Sequence, residues 1–230
     1  MSNTYFKFKQ FTVHHDRCAM KVGTDGVLLG ATAYGGKCIL DIGTGTGLVA
    51  LMMAQRFPLA RVTAIDIDNM AVEQARENIA ASPFHDRIDI INGDISDYKK
   101  ECEFDCIVCN PPFFEDSLRC PDAGRATARH TETLPFHVLI DSIANLLSED
   151  GVATIIIPTD SMTRIESECA YANLFIKRKM FIRTVERKMP KRVLISFGKH
   201  SSETEVCTQC LMEHGERSAW YVDVCKDFYL

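Results

Sequence analysis

Nowhere does this 230-residue sequence hold about 18 consecutive uncharged apolar residues, so no membrane-spanning helix is expected. The opening residues, Met1-Ser2-Asn3-Thr4-Tyr5-Phe6-Lys7, lack the apolar stretch of a secretion signal, and a cytoplasmic location is expected. Internal repeats and low-complexity linkers are also missing. Collagen, coiled coil, disordered chain, membrane protein and disulfide-stapled mini-protein are thereby excluded. What remains is an ordinary folded composition, 46% apolar and 25% charged. A chain of this length buries roughly 70% of its unfolded surface, enough for a core without staples.

A zinc ribbon would need two CxxC pairs a knuckle apart, and the ten cysteines do not supply them. Cys106 and Cys109 lie in the apolar run Phe104-Asp105-Cys106-Ile107-Val108-Cys109, where strand alternation points them to opposite faces. Cys207 and Cys210 stand far away in another setting. No metal is expected; the thiols read as reduced, small apolar fillers.

The net charge of −5 does not advertise a nucleic-acid binder. The average hides one dense exception. Lys177, Arg178, Lys179, Arg183, Arg187, Lys188, Lys191 and Arg192 face the single acid Glu186. That run is either a solvated face or a phosphate-contacting patch.

From residue 37 the chain alternates short β-rich runs with helical patterns, as a parallel sheet with crossover helices does. Strands are expected at 37–42, 61–67, 88–92, 104–109 and 152–157. Helices are expected at 46–56, at 70–81 capped by Asn69, at 135–147 and around 161–173. Two β-rich runs follow at 175–185 and 193–198. Residues 199–217 read as a polar loop, and 218–224 as a terminal strand or extended tail. The whole reads as one α/β domain: an N-terminal extension (1–36), a Rossmann-like core (37–198) and a C-terminal loop and tail (199–230).

Asp41-Ile42-Gly43-Thr44-Gly45-Thr46-Gly47 closes the first core strand and opens the first core helix. A glycine-rich turn alone is weak, since dinucleotide sites use similar geometry. Three details point instead to S-adenosylmethionine: the GxGxG spacing, the acid Asp41 before it, and Asp66 closing the second strand. That ligand has no pyrophosphate for a helix N-terminus, but it has an ammonium and a ribose diol. Asp41 suits the first and Asp66 the second. Asp94, after the third strand, falls where the adenine amine would lie.

Strand four runs into Asn110-Pro111-Pro112-Phe113-Phe114. A bare Pro-Pro is more often a stiff turn. Here it sits at the carboxyl end of a parallel strand, where open α/β sheets bind ligands. A planar amine conjugated to a ring is a poor nucleophile. The Asn110 side-chain oxygen and the Pro111 carbonyl can each accept one of its N–H bonds and direct the nitrogen at a methyl sulfonium. Phe113 offers a stacking face. No Ser/His/Asp constellation is present, and none is needed, since the nitrogen becomes acidic once alkylated.

The GxGxG loop and Asn110-Pro111-Pro112-Phe113 together resemble the class I S-adenosylmethionine-dependent amino-methyltransferases, which act on adenine N6, guanine N2 or protein glutamine N5. The rest narrows the resemblance. Phe6-Lys7-Phe8-Lys9-Gln10-Phe11, Val13, His15-Asp16, the block Met20 to Gly30, Ala128-Arg129-His130 with Leu134, and Asp227-Phe228-Tyr229-Leu230 are similar to the tRNA1(Val) adenine-37-N6 methyltransferases. Phe113 stands where that family often has Tyr, which keeps stacking and loses a hydroxyl.

The resemblance implies a doubly wound, seven-stranded, mostly parallel sheet with an antiparallel strand near the C-terminus. It implies that Lys21 and Thr24 close the cofactor pocket. Asp41, Gly43, Gly45, Gly47, Asp66, Ile67, Asp94, Ile95 and Asn110 would line it, and Asn110, Pro111, Pro112 and Phe113 would hold the adenine. It implies a tRNA partner methylated beside the anticodon, with no obligate protein partner. Arg119, Arg125 and Arg129, with Lys177, Arg178, Arg187, Lys188, Lys191 and Arg192, are the RNA-contact candidates. Guanine-N2 methylation of rRNA is the nearest rival, but such enzymes usually carry a duplicated upstream domain. A protein-glutamine methyltransferase needs a helical recognition domain where only about 35 residues precede the core. A binding protein with a vestigial fold would not need Asp66 or Asn110-Pro111-Pro112.

Overall fold

Apolar runs at 38–42 and 104–109 have no polar alternation because both of their faces are covered, as parallel strands require. In the computed structural model, which describes residues 4–18, 21–99, 103–111 and 134–230, they lie side by side at the centre of one nine-stranded sheet. The strands are β1 (Tyr5–Lys7), β2 (Thr12–His14), β3 (Cys38–Ile42), β4 (Arg61–Asp66), β5 (Ile88–Asn92) and β6 (Phe104–Cys109). They continue with β7 (Leu147–Pro158), β8 (Phe175–Val185), β9 (Arg192–Gly198), β10 (Glu205–Glu213) and β11 (Glu216–Arg217). The helices are α1 (Thr24–Thr32), α2 (Leu48–Arg56), α3 (Asn69–Ala80), α4 (Phe136–Leu146), α5 (Met162–Tyr171) and α6 (Ala219–Cys225).

The sheet order is β11-β10-β8-β9-β7-β6-β3-β4-β5, with β1 and β2 forming a separate hairpin. β5, β4, β3, β6 and β7 run parallel, and β9 is antiparallel to both β7 and β8. The chain order reverses at β3: β4 follows on one side and β6 lies on the other. That reversal is the switch point where such sheets open a crevice at their carboxyl ends. Cys106 belongs to the core under α1 and α2, and Cys109 to the core under α4 and α5, so the two thiols do face opposite sides.

Several boundaries differ from expectation, each for a local reason. α2 starts at Leu48 rather than Thr46, because Gly47 is held at φ +81° ahead of it. The cap of α3 is Asp68, whose Oδ1 accepts from Met70 N at 2.9 Å, and not Asn69. Residues 199–217 are not a loop: β10 pairs in parallel with β8, and the turn after it leads into β11. An edge strand mostly open to solvent keeps polar residues that mask its period. Residues 219–225 are helical rather than extended. Tyr221 and Cys225 are buried at a four-residue spacing, and Ser218 Oγ accepts from Tyr221 N at 3.1 Å.

The N-terminal extension is ordered by the chain's other end. Lys9 N donates to Phe228 O at 2.8 Å, and the rings of Phe8 and Tyr229 stack with centroids 6.0 Å apart. From His14 the extension continues as a strap, described over residues 14–18 and 21–23. The C-terminal carbonyls of α1 are capped by two arginines: Arg56 donates to Gly30 O and Ala33 O, and Arg178 to Thr32 O.

Candidate cofactor and methyl-transfer site

β3 ends one register step beyond Asp41, and the chain must turn sharply to enter α2. Gly43, Gly45 and Gly47 make that turn with φ of +68°, +57° and +81°, a region that side-chain-bearing residues rarely adopt. A Cβ built on Gly43 or Gly45 would meet nothing within 4 Å, so the loop borders open space.

Asp41 anchors the turn. Its Oδ2 accepts from Thr44 Oγ1 at 2.7 Å and from Ala50 N at 3.1 Å, joining strand, loop and helix through one oxygen. The side chain is 1% exposed, and burial pushes its carboxyl up to about 7, with the nearby negative Asp66 adding to the rise. Its two hydrogen bonds act in the opposite direction.

Asp66 closes β4 level with Asn92 of β5. Its Oδ2 accepts from Gly45 N at 2.7 Å and its Oδ1 from Asp68 N at 3.0 Å. Burial raises this carboxyl above the usual range as well. Asp94 lies just past β5, where Oδ1 accepts from Ser96 N and Ser96 Oγ. Beside Asp66, Ile67 is 64% exposed, an apolar surface at the mouth of the crevice; Ile95 is buried. Two carboxylates held in low-dielectric surroundings beside an open glycine turn fit a cationic ligand bearing hydroxyls. S-adenosylmethionine is such a ligand.

On the other side of β3, Cys109 pairs with Ile42 and Ile155, so Asn110 is the first residue past β6 and emerges beside the glycine turn. Asn110 is half-buried and Pro111 is buried. Pro112, Phe113, Arg119, Arg125 and Arg129 lie outside the described residues. Lys21 and Thr24 are exposed, Thr24 as the first residue of α1.

The basic run divides in two. Arg178 stacks over the Tyr34 ring at 4.7 Å, Lys179 pairs with Glu166 at 2.5 Å, and Arg192 pairs with Asp25 at 2.8 Å. Lys177 is half-buried. Arg187, Lys188 and Lys191 stand exposed in the β8–β9 turn. Arg192 is paired with Pro158, the last residue of β7, so this turn is at the same carboxyl edge as Asn110.

The strap brings residues that motif reading did not single out. Cys18 lies near Asp68 and Asp66; burial and then these carboxylates push its thiol up to about 11. Gln74 and Asn78, on the buried face of α3, hold the strap's backbone. Their signal in the sequence is two amides four residues apart on an otherwise apolar helix face.

A parallel sheet with this switch point, a GxGxG turn and acids at successive strand ends define a class I S-adenosylmethionine-dependent methyltransferase. Comparison with known proteins agrees. The Methyltransferase small domain family matches residues 23–160. A tRNA1(Val) (adenine(37)-N6)-methyltransferase of Phocaeicola vulgatus is 50% identical, covering 100% of this chain and 99% of the relative. Proteins of the same name from Bacteroides thetaiotaomicron and Tolumonas auensis are 46% and 39% identical, each covering 100% of this chain and 99% and 98% of the relative. Among solved structures, one described as a predicted O-methyltransferase from Agrobacterium tumefaciens superposes with a TM-score of 0.68 at 19% identity, covering 89% of this chain and 96% of the other. The glycopeptide N-methyltransferase MtfA complexed with S-adenosylmethionine gives 0.56 at 12% identity, covering 76% and 95%. The chain belongs to the Methyltransferase small domain family and, within it, to the tRNA1(Val) (adenine(37)-N6)-methyltransferases.

Proposed function

We propose that this protein transfers a methyl group from S-adenosylmethionine to the exocyclic N6 of adenosine 37, beside the anticodon of a valine tRNA, in the cytoplasm. The observation that carries the reading is the full-length similarity to relatives named for that reaction. The position of Asn110 beside the glycine turn supports it.

S-adenosylmethionine supplies, when bound, an electrophilic methyl group on a cationic sulfur. Gly43 and Gly45 would leave room for it, Asp66 would accept from its ribose hydroxyls, and Asp41 holds the turn that would face its ammonium. The Asn110 side-chain oxygen accepts one N–H of the adenine amine and the Pro111 carbonyl oxygen accepts the other. These contacts orient the nitrogen lone pair and favour its pyramidal form as the N–C bond develops. As the N–C bond forms the C–S bond would break, leaving a neutral thioether, and the acidic alkylated nitrogen would give its proton to water without a strong base. Phe113 stacks on the ring, which has left its helical stack to enter the crevice.

Arg187, Lys188 and Lys191 contact tRNA phosphates. β9 lies two strand spacings from β6, roughly 10 Å, so their turn flanks the crevice within reach of neighbouring nucleotides. The test is an acceptor assay with labelled S-adenosylmethionine offered to tRNA, rRNA and protein from the same cells. Label should enter tRNA; label in rRNA or protein would favour the guanine-N2 or glutamine-N5 reading.

A further inference from the structure

Asn78 and Gln74 are each 1% exposed, on a face of α3 shared with Ala71, Val72, Ala75 and Ile79. An apolar residue is the ordinary occupant of such positions, and a buried amide is tolerated only when its hydrogen bonds are made. Asn78 makes three. Its Oδ1 accepts from His14 N at 2.9 Å, and its Nδ2 donates to His14 O and to Thr46 O, both at 2.9 Å. The first two reproduce, with a side chain, the pairing of a neighbouring β-strand residue. The third lands inside the glycine turn. One helical turn earlier, Gln74 Oε1 accepts from Arg17 N at 3.2 Å. On the solvent side Arg17 pairs with Glu77 at 2.9 Å.

Among the described residues between β2 and α1, 15–18 and 21–23, none is in a strand, and Cys18 feels the charges of Asp68 and Asp66. The side-chain amides of α3 therefore hold the backbone of His14 and Arg17, next to Cys18, and the same Asn78 holds the glycine turn through Thr46 O.

We propose that Asn78, assisted by Gln74, is a positioning residue for the cofactor: it ties the backbone at His14, where the strap begins, to the Thr46 carbonyl of the glycine turn, so that the two are held as one unit. This rests on the cofactor reading above and deepens it. Binding energy is reduced by whatever fraction of molecules has the strap away from the turn. The apparent dissociation constant rises as the inverse of the competent fraction. Chemistry at Asn110 is untouched once the crevice is filled.

The test uses two variants of the full chain. Asn78→Asp keeps the size and the acceptor for His14 N, but removes both donors. Gln74→Met keeps the shape and removes the acceptor for Arg17 N. Calorimetry should show S-adenosylmethionine affinity about tenfold weaker in Asn78→Asp and a smaller loss in Gln74→Met. The kcat at saturating cofactor should stay within about threefold, and amides of residues 14–18 should exchange faster with solvent in both variants. Folded variants with unchanged affinity and exchange would overturn the proposal, as would a fall in kcat with cofactor affinity intact. Should Asn78→Asp fail to fold, Gln74→Met decides, because the Gln74 hydrogen bond reaches the strap and not the glycine turn. A wild-type chain that binds no S-adenosylmethionine would overturn the cofactor reading itself; wild-type binding with unaltered variants would overturn only the clamp.

Discussion

Asn110 follows β6 and Asp66 ends β4, the two strands that flank β3, yet the two residues should fail in opposite ways. The amine contact proposed for Asn110 strengthens as the transition state forms. Asn110→Ala should lower kcat on the order of 10²-fold or more, with cofactor affinity little changed. Near-wild-type turnover would remove Asn110 from the reaction. The ribose contact proposed for Asp66 is the same before and during transfer, so Asp66→Ala should raise the KM for S-adenosylmethionine far more than it lowers kcat. Because that carboxylate also holds Gly45 N, calorimetric affinity should fall with it; unchanged affinity would sink the assignment. Asp41 answers to pH. Burial raises its carboxyl to about 7, so between about pH 4 and that value the folded chain holds a proton that the unfolded chain has released. Its contribution to stability is present at low pH and is lost as pH rises through 7. Asp41→Asn keeps an oxygen for Thr44 Oγ1 and Ala50 N and carries no charge. Urea unfolding between pH 5 and 8 should therefore show a flatter loss of stability in the variant, and identical profiles would contradict the buried-acid account.

The elements divide by how their environment writes itself into sequence. β3 and β6 are covered on both faces, and their Ile, Leu and Val, broken only by Asp41 and Asp105, were legible as parallel strands. The glycine turn was legible because only glycine sits easily at three positive-φ positions in five residues. β10 and α6 were not. β10 lies near the sheet edge with polar residues toward solvent, and Trp220-Tyr221-Val222 has the aromatic and β-branched character of a strand although Ser218 caps it as a helix. Asn78 was invisible for another reason: its partners, His14 and Thr46, are brought to it only by the fold. The basic run was visible as composition, but its division was not. Side-chain contacts engage Arg178, Lys179 and Arg192, leaving the β8–β9 turn as the part facing solvent at the carboxyl edge of the sheet. Reversing Arg187, Lys188 and Lys191 to Glu should weaken tRNA binding and lower the salt slope of log K by roughly 0.7 to 0.9 for each phosphate no longer neutralised. Cofactor affinity should not move. Unaltered tRNA affinity and slope would make the turn a solvated face.

At the scale of the molecule, an acidic chain meets a polyanion by separating charge in space. The overall charge of −5 coexists with three exposed cations in one turn, and that turn shares an edge with the crevice because β8 runs parallel to β7 through an antiparallel β9. The same topology puts Asp66, Asn110 and the exposed cations of the β8–β9 turn at the carboxyl ends of strands. The two chain termini pack together, Lys9 N on Phe228 O and the Phe8 ring on Tyr229, and Gln55 of α2 donates to Asp227 O. The most direct measurement of the central claim is nucleoside mapping on a single substrate. An unmodified valine tRNA transcript would be incubated with the protein and S-adenosylmethionine, cut into oligonucleotides and analysed by mass spectrometry. The account predicts one added methyl group, located at adenosine 37 and released as N6-methyladenosine, and none when that adenosine is replaced by guanosine. A methyl group on another nucleotide, or on another atom of adenosine 37, would contradict it.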